Sequence, residues 1–443
     1  MLFPFSRLSA PIETIALPNG VKLVLHPFAS PSVGVACLIR SGPVFETPDR
    51  NGISHFLEHM LFRGTPEYPT SSLLCRALDR IGSEANAATF SDMTILSCKM
   101  LPESLGEGMQ LLHRMMTAPT FSGLTAERHI ILEECLEDQD EEGQLTAIDQ
   151  LSSQLLYGNH PYALSILGTP DSVRRIQRRH LEAHLHAHYR PESTVVALAG
   201  GFDPKKALSA IRRVLGAWRG SGEAVVPPRP GPVAELNGPC LLSVDSPRSQ
   251  VQVRISFRAL AFSDPEFHLQ KSLVRILDAG SGSPLRQAMQ DSRGFCYSLS
   301  VGTDAYEGAG AIHIDFSVNP DVLEDAVGVC LRILARLAKT PLPEEDVEHM
   351  LYQYVKAKRF ASTDVWDFSG RYAFRALYPS PMDFATEFTA TQKTRPADLH
   401  AIAARLFRRR NLGVTLVGDI SKARAARVKK LLRAFPDGTS RDA

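Results

Sequence analysis

The 443-residue sequence has no apolar run long enough to cross a bilayer, so nothing in it reads as a membrane span. It has no charge excess either. Lys and Arg number 49 against 48 Asp and Glu, a formal net charge of +1, which gives no electrostatic basis for binding nucleic acid or an anionic membrane. Paired cysteines are also missing: the seven cysteines, at 37, 75, 98, 135, 240, 296 and 330, are scattered, odd in number and without a Cys-x-x-Cys spacing. A reducing compartment is the simpler expectation. The opening residues, Met1-Leu2-Phe3-Pro4-Phe5-Ser6-Arg7, lack a basic segment followed by an apolar one, so no cleaved export signal is expected. These absences together predict a cytoplasmic protein with free thiols.

What is present is an ordinary globular composition, 44% hydrophobic, with length for about two or three domains. Ile12–Leu17, the Pro18-Asn19-Gly20 turn and Val21–Leu25 read as a hairpin in which Asn-Gly supplies the positive φ angles. Val33–Ile39 is a largely apolar run with β-branched residues at Val33, Val35 and Ile39, ending at Ser41-Gly42 and leading into a helix. A helix over Ser71–Ile81, strands over Ala85–Phe90 and Met93–Met100, and helices over Pro102–Met116 and Ala126–Tyr157 follow.

The helix after Gly52 carries Ser54-His55-Phe56-Leu57-Glu58-His59. His55 and His59 stand one turn apart on one face with Glu58 beside them, the spacing with which two imidazoles grip one ion. Phe56, Leu57, Met60, Leu61 and Phe62 would bury the opposite side and make the support rigid. Zinc suits two imidazoles and a carboxylate, and Glu58 is then the candidate general base. His-x-x-Glu-His is the inverted form of the commoner zinc-peptidase motif. On these residues alone, two histidines on a core helix remain the competing reading.

A third, anionic ligand is sought in the acidic helix that follows, which carries Glu127, Glu133, Glu134, Glu137, Asp138, Asp140, Glu141 and Glu142. Most of these read as a solvated face. The apolar Ile130, Ile131 and Leu132 place the start of that helix in the core, and Glu127 and Glu134, two turns apart, share a face.

Several blocks in order now carry a resemblance. They are Leu17-Pro18-Asn19-Gly20, Ser41-Gly42 through Phe45-Glu46, Asn51 through Thr65 with the motif at its centre, and Asn86-Ala87 with Ser91-Asp92. The series goes on through Glu127-Arg128 to Leu132-Glu133-Glu134, His160-Pro161 to Leu167-Gly168-Thr169, and Tyr189-Arg190-Pro191 to Ala199-Gly200. The chain resembles the pitrilysin (insulinase-like) family of zinc metallopeptidases, in its short form akin to mitochondrial processing peptidase and its bacterial relatives. The C-terminal half supports this more weakly, through Gly294-Phe295-Cys296-Tyr297-Ser298 and Asn411-Leu412 to Val417-Gly418-Asp419.

The resemblance implies one zinc per chain held by His55, His59 and Glu134, with Glu58 activating water and Glu127 orienting a ligand. Glu133 and Cys135 flank Glu134 as alternatives, and the resemblance favours Glu134 because the Glu127-to-Glu134 spacing matches the family. The stretch Glu84–Thr89 matches the family's exposed edge strand, which would take an extended peptide by backbone pairing, with Asn86 and Ala87 contacting it. The implied fold is α+β: two homologous units per chain, each an antiparallel sheet with helices packed on it. The expected division is a zinc-binding domain over 1–220, a proline-rich linker over 221–237 containing Pro227-Pro228-Arg229-Pro230, and a homologous domain without metal ligands over 238–443.

One departure bears on activity. Active relatives carry an Arg seven residues before a Tyr in the C-terminal half, both reaching the substrate carbonyl or oxyanion. Tyr297 is present here, but the position seven before it is Gln290, and Arg286 and Arg293 fall elsewhere. The resemblance then implies a heterodimer whose second, homologous subunit supplies the Arg and Tyr, or otherwise a homodimer. Two readings follow: a zinc endopeptidase acting on peptides or small precursors, or a non-catalytic structural or partner subunit of a processing-peptidase-like complex. The intact motif with its distal Glu favours the enzyme.

Overall fold

Alternating and continuous apolar runs become two sheets in a computed structural model that describes residues 12–82, 84–220, 230–278, 280, 282–361, 364–378 and 380–437. The expected linker over 221–237 lies outside the described residues as far as 229. The first sheet runs β1 (Glu13–Ala16), β2 (Lys22–Pro27), β6 (Thr194–Gly200), β3 (Val33–Ile39), β5 (Thr94–Met100), β4 (Glu84–Thr89). The second runs β7 (Cys240–Asp245), β11 (Leu412–Gly418), β8 (Val251–Ala259), β10 (Gly310–Val318), β9 (Leu299–Ala305). Set side by side, the second repeats the order of the first without β1. Both sheets are mixed rather than antiparallel throughout: β2 with β6, and β7 with β11, are parallel, because the strand closing each sheet arrives after a helical crossover.

Each sheet frames one compact unit, and neither unit is a continuous stretch of chain. The first comprises residues up to Glu137, Leu164–Pro230 and Lys358–Pro379; the second comprises Asp138–Ala163, Gly231–Ala357 and the chain from Ser380. The boundaries expected from sequence, 1–220 and 238–443, therefore miss two exchanged segments. The reason lies in the covering helices. β3 and β6 are buried along their whole length. Val33, Val35, Cys37, Ile39, Val196 and Leu198 face the main core. The register sets Gly34 opposite Ala199 and Ala36 opposite Ala197, a floor of small side chains on which helix Val365–Leu377 lies. A Cβ on Gly34 would stand 2.3 Å from the Val365 carbonyl oxygen.

The second unit repeats the device with helix Ile148–Tyr157 on β11 and β8. Gly413 opposes Ser256, and Ser152 Oγ lies 3.0 Å from Ser256 Oγ. Ser256 Oγ is 2.8 Å from His313 Nδ1, whose Nε2 is 2.9 Å from Asp304. With Ser256 only 1% exposed, the serine and histidine are a buried tie that satisfies polar groups and ends on the half-exposed Asp304, not an open nucleophile.

Three sequence expectations are corrected. The helix over 126–157 is two, Leu124–Glu137 and Ile148–Tyr157. Between them Asp140 accepts the backbone N–H groups of Glu142 and Gln144, at 3.1 and 2.8 Å, and Gly143 turns to φ 76°, so local side-chain bonding displaces the helix. In the first hairpin Gly20 takes φ 100° while Asn19 stays out of the left-handed region; its amide instead donates to the carbonyls of Leu215 and Trp218, at 2.7 and 3.0 Å. Of Ile130, Ile131 and Leu132, only Ile131 is fully buried, and Ile130 is half-exposed. Among the described residues no helix is long and apolar enough to cross a membrane.

The Gly34 contact predicts a large cost for one methyl group. Gly34→Ala should destabilise the protein by about 1–3 kcal/mol, because backbone rather than a mobile side chain must yield. Gly413→Ala, whose Cβ would meet leucine methyls at 3.2 Å, should cost less. Equal urea midpoints for the two variants would contradict the close approach of helix Val365–Leu377.

Candidate metal centre

Helix Ile53–Leu61 is nine residues long and seven of them are buried, so its polar groups need partners from the fold. It begins at Gly52, φ 91°, where a Cβ would stand 2.4 Å from the Leu167 carbonyl oxygen; only glycine meets both demands. Its first N–H groups are capped from a distance. Glu46 accepts from the N–H of Gly52 at 2.7 Å and of Ser54 at 2.8 Å, and from the Asn51 amide at 2.9 Å. Burial pushes the Glu46 carboxyl up, and these hydrogen bonds pull it back. A carboxylate there also complements the positive end of the helix dipole. Ser54 Oγ and Ser41 Oγ lie 3.0 and 3.1 Å from His184 Nε2, and burial first, then His188, holds His184 well below the usual histidine range.

Phe56, Leu57, Met60 and Leu61 are fully buried on one side. On the other, His55 Nε2 and His59 Nε2 approach to 3.2 Å. Helix Leu124–Glu137 supplies the third atom: Glu134 Oε2 is 3.8 Å from His55 Nε2 and 3.9 Å from His59 Nε2. These three residues are the one metal-competent cluster among the described residues. A point equidistant from the three atoms lies about 2.1 Å from each, within the zinc–nitrogen and zinc–oxygen range of about 2.0–2.2 Å. Desolvation, then neighbouring His59, lowers the His55 pKa to about 3, so its imidazole is neutral at pH 7, as a ligand must be. The donor set therefore fits zinc. Of the flanking alternatives, Glu133 is exposed and Cys135 is buried in the hydrophobic core.

Two further carboxylates have separate partners. Glu127, on the same helix as Glu134, places Oε1 2.8 Å from His59 Nδ1 and Oε2 2.9 Å from Arg63 Nε. Glu58 Oε2 accepts from Thr89 Oγ1 at 2.7 Å. Burial raises the Glu58 pKa, against the hydrogen bond from Thr89 and the proximity of His59, which makes it a better proton acceptor than a surface carboxylate. Thr89 ends β4, the outer strand of the first sheet, where Asn86 is exposed and Ala87 half-buried. Glu58 and the outer strand of the sheet are thus joined by one hydrogen bond.

Tyr297 belongs to the second unit, where its ring is 98% exposed. The Gln290 amide donates to the Tyr297 carbonyl at 2.6 Å, and Arg286 pairs with Asp278 at 2.7 Å. The following strand, β9, starts only at Leu299, after a π-helical turn over Gln287–Asp291 and Gly294 at φ 60°. Reading the sequence assigned no role to Glu46, Arg63, Thr89 or His184. None has a local signature, since each acts on a partner brought to it by the fold.

Residues 24–170 match the family model described as insulinase (peptidase family M16), and residues 175–354 match the peptidase M16 inactive domain. An uncharacterized zinc protease of Bacillus subtilis, YmxG, is 26% identical over 342 residues, covering 76% of this chain and 81% of its own. The mitochondrial-processing peptidase subunit beta of Dictyostelium discoideum is 22% identical over 438 residues, covering 94% and 91%. The crystal structure of a protease from Helicobacter pylori matches with a TM-score of 0.85 at 17% identity over 92% of this chain and 99% of that one, a likeness of fold. With the first family model spanning the metal helix and the second running on through most of the second sheet, the chain belongs to the pitrilysin, or insulinase, family of zinc metallopeptidases in its short two-unit form.

Proposed function

We propose that the protein is a zinc-dependent endopeptidase that hydrolyses extended peptides or small precursors. The observation that carries the proposal is the convergence of His55, His59 and Glu134 within 4.8 Å of one another beside the carboxylate of Glu58. His55, His59 and Glu134 would hold the metal. When bound, zinc supplies a Lewis acid and lowers the pKa of a water toward neutrality. Glu58, held at one oxygen by Thr89, takes the proton of the attacking water and returns it to the leaving amine. Glu127 keeps His59 in one orientation. A peptide would pair with the open edge of β4 along Asn86 and Ala87, which reads backbone rather than sequence.

The same reading makes this chain the zinc subunit of a pair. Gln290 stands where active relatives carry Arg, and its amide is spent on the Tyr297 carbonyl. A neutral amide brings no positive charge to a developing oxyanion. The Dictyostelium relative is itself named a beta subunit, which supports a second, homologous chain as the source of the Arg and Tyr. The odd number of scattered cysteines, without a Cys-x-x-Cys spacing, supports a cytoplasmic location.

Glu58→Gln should keep zinc, since all three ligands remain, and lower peptide hydrolysis by about 10²–10⁴-fold. His59→Ala should lose the metal in elemental analysis. Full cleavage by the first variant, or stoichiometric zinc in the second, would move the chemistry elsewhere; a wild-type chain with neither zinc nor cleavage would be a non-catalytic subunit.

The partner makes a separate prediction. The purified chain should bind zinc yet cleave a quenched peptide slowly, and a homologous chain carrying the Arg and Tyr should restore the rate. Gln290→Arg should raise the rate of the lone chain by about 10-fold or more. A homodimer that already cleaves at the rate of the pair would show the partner to be unnecessary.

A further inference from the structure

Arg63 lies just past the last turn of the metal helix, its N–H bonded to the Met60 carbonyl at 3.2 Å. Its Nε stands 2.9 Å from Glu127 Oε2, while Glu127 Oε1 is 2.8 Å from His59 Nδ1. The Glu127 side chain is only 8% exposed and that of Arg63 26%, so this is not one of the solvated surface pairs that contribute little. A carboxylate so enclosed needs compensation at both oxygens. His59 compensates one; Arg63, among the described residues, is the cation at the other.

The chain makes room for this contact. Gly123, at φ 72°, would with a Cβ reach 2.9 Å from Arg63 Nη2, and its carbonyl accepts the Glu127 N–H at 3.0 Å. The residue that starts the acidic helix thus also clears the seat of the guanidinium.

Resting on the zinc reading above, we propose that Arg63 is a positioning residue for the metal centre. It pins Glu127 Oε2 and so leaves Oε1 to accept the Nδ1 proton of His59, which directs the His59 Nε2 lone pair toward His55 Nε2 and Glu134. The order is Arg63, Glu127, His59, metal. Arg63 touches neither the metal position nor the base; it acts through Glu127 alone.

The test compares Arg63→Met, which keeps the length of the side chain without its charge, with Arg63→Lys, which keeps a charge. Zinc affinity is measured by competition with a chromophoric chelator, and the His59 tautomer of the metal-free protein by ¹⁵N NMR with labelled histidine. Arg63→Met should bind zinc about 10–100-fold more weakly and lose the single Nδ1–H tautomer. Arg63→Lys should recover most of both, with apo-protein unfolding midpoints alike in all three. Unchanged affinity and tautomer in Arg63→Met would overturn the proposal, as would a loss that Arg63→Lys shares in full. The tautomer readout needs no metal: if the wild-type chain bound no zinc, the peptidase reading would fail while the tautomer comparison still decided the role of Arg63.

Discussion

A nine-residue helix buried on nearly every side, yet carrying two imidazoles, a carboxylate and a bare N-terminus, is the constraint around which the first unit is arranged. Each polar group in a dry setting costs free energy unless a partner meets it. Glu46 meets the helix start, His184 meets Ser54, Thr89 meets Glu58, and Glu127 meets His59. These partners come from a turn, two other helices and the edge of the sheet. Their positions are therefore tied to one another through the helix they serve.

The division of labour among the carboxylates follows from environment rather than residue type. Glu134, more than a third exposed, faces the two imidazole nitrogens; Glu127, enclosed, faces the back of one imidazole and a guanidinium; Glu58 faces a threonine hydroxyl at the strand edge. Glu134 and Glu127 sit seven residues apart on one helix, two turns, so a single helix placement sets both carboxylates against the two imidazoles. Precision of that kind belongs to regular elements, whose side chains are already limited to a few rotamers by packing.

Much of this was legible in the chain. The i, i+4 histidines with the adjacent Glu are a helical spacing, and the two-turn interval from Glu127 to Glu134 is another, so both survive as read. Most strands survive for a like reason: a run such as Val33–Ile39 is apolar enough to have no other use. Failures cluster where local chemistry and tertiary demand compete. Asp140 and Gly143 break a helix whose acidic composition looked continuous, and Asn19 donates to a distant helix end instead of shaping its own turn.

The sequence by itself determined the periods: which residues share a face, which runs are strands, and that two histidines and a glutamate project from one turn of helix. Those follow from 3.6 residues per helical turn and two per strand repeat, which the chain cannot escape. Only the tertiary structure decided which helix covers which sheet. Val365–Leu377, from late in the chain, lies on the first sheet, and Ile148–Tyr157, from early in it, lies on the second, because register brings small residues together at Gly34 with Ala199 and at Gly413 with Ser256. It also decided that Glu46 and Thr89 meet the helix that carries the two histidines, and that Arg63 meets Glu127. A hydrogen bond depends on distance in space, and sequence separation carries no information about that until strands have paired and helices have found the floors that fit them.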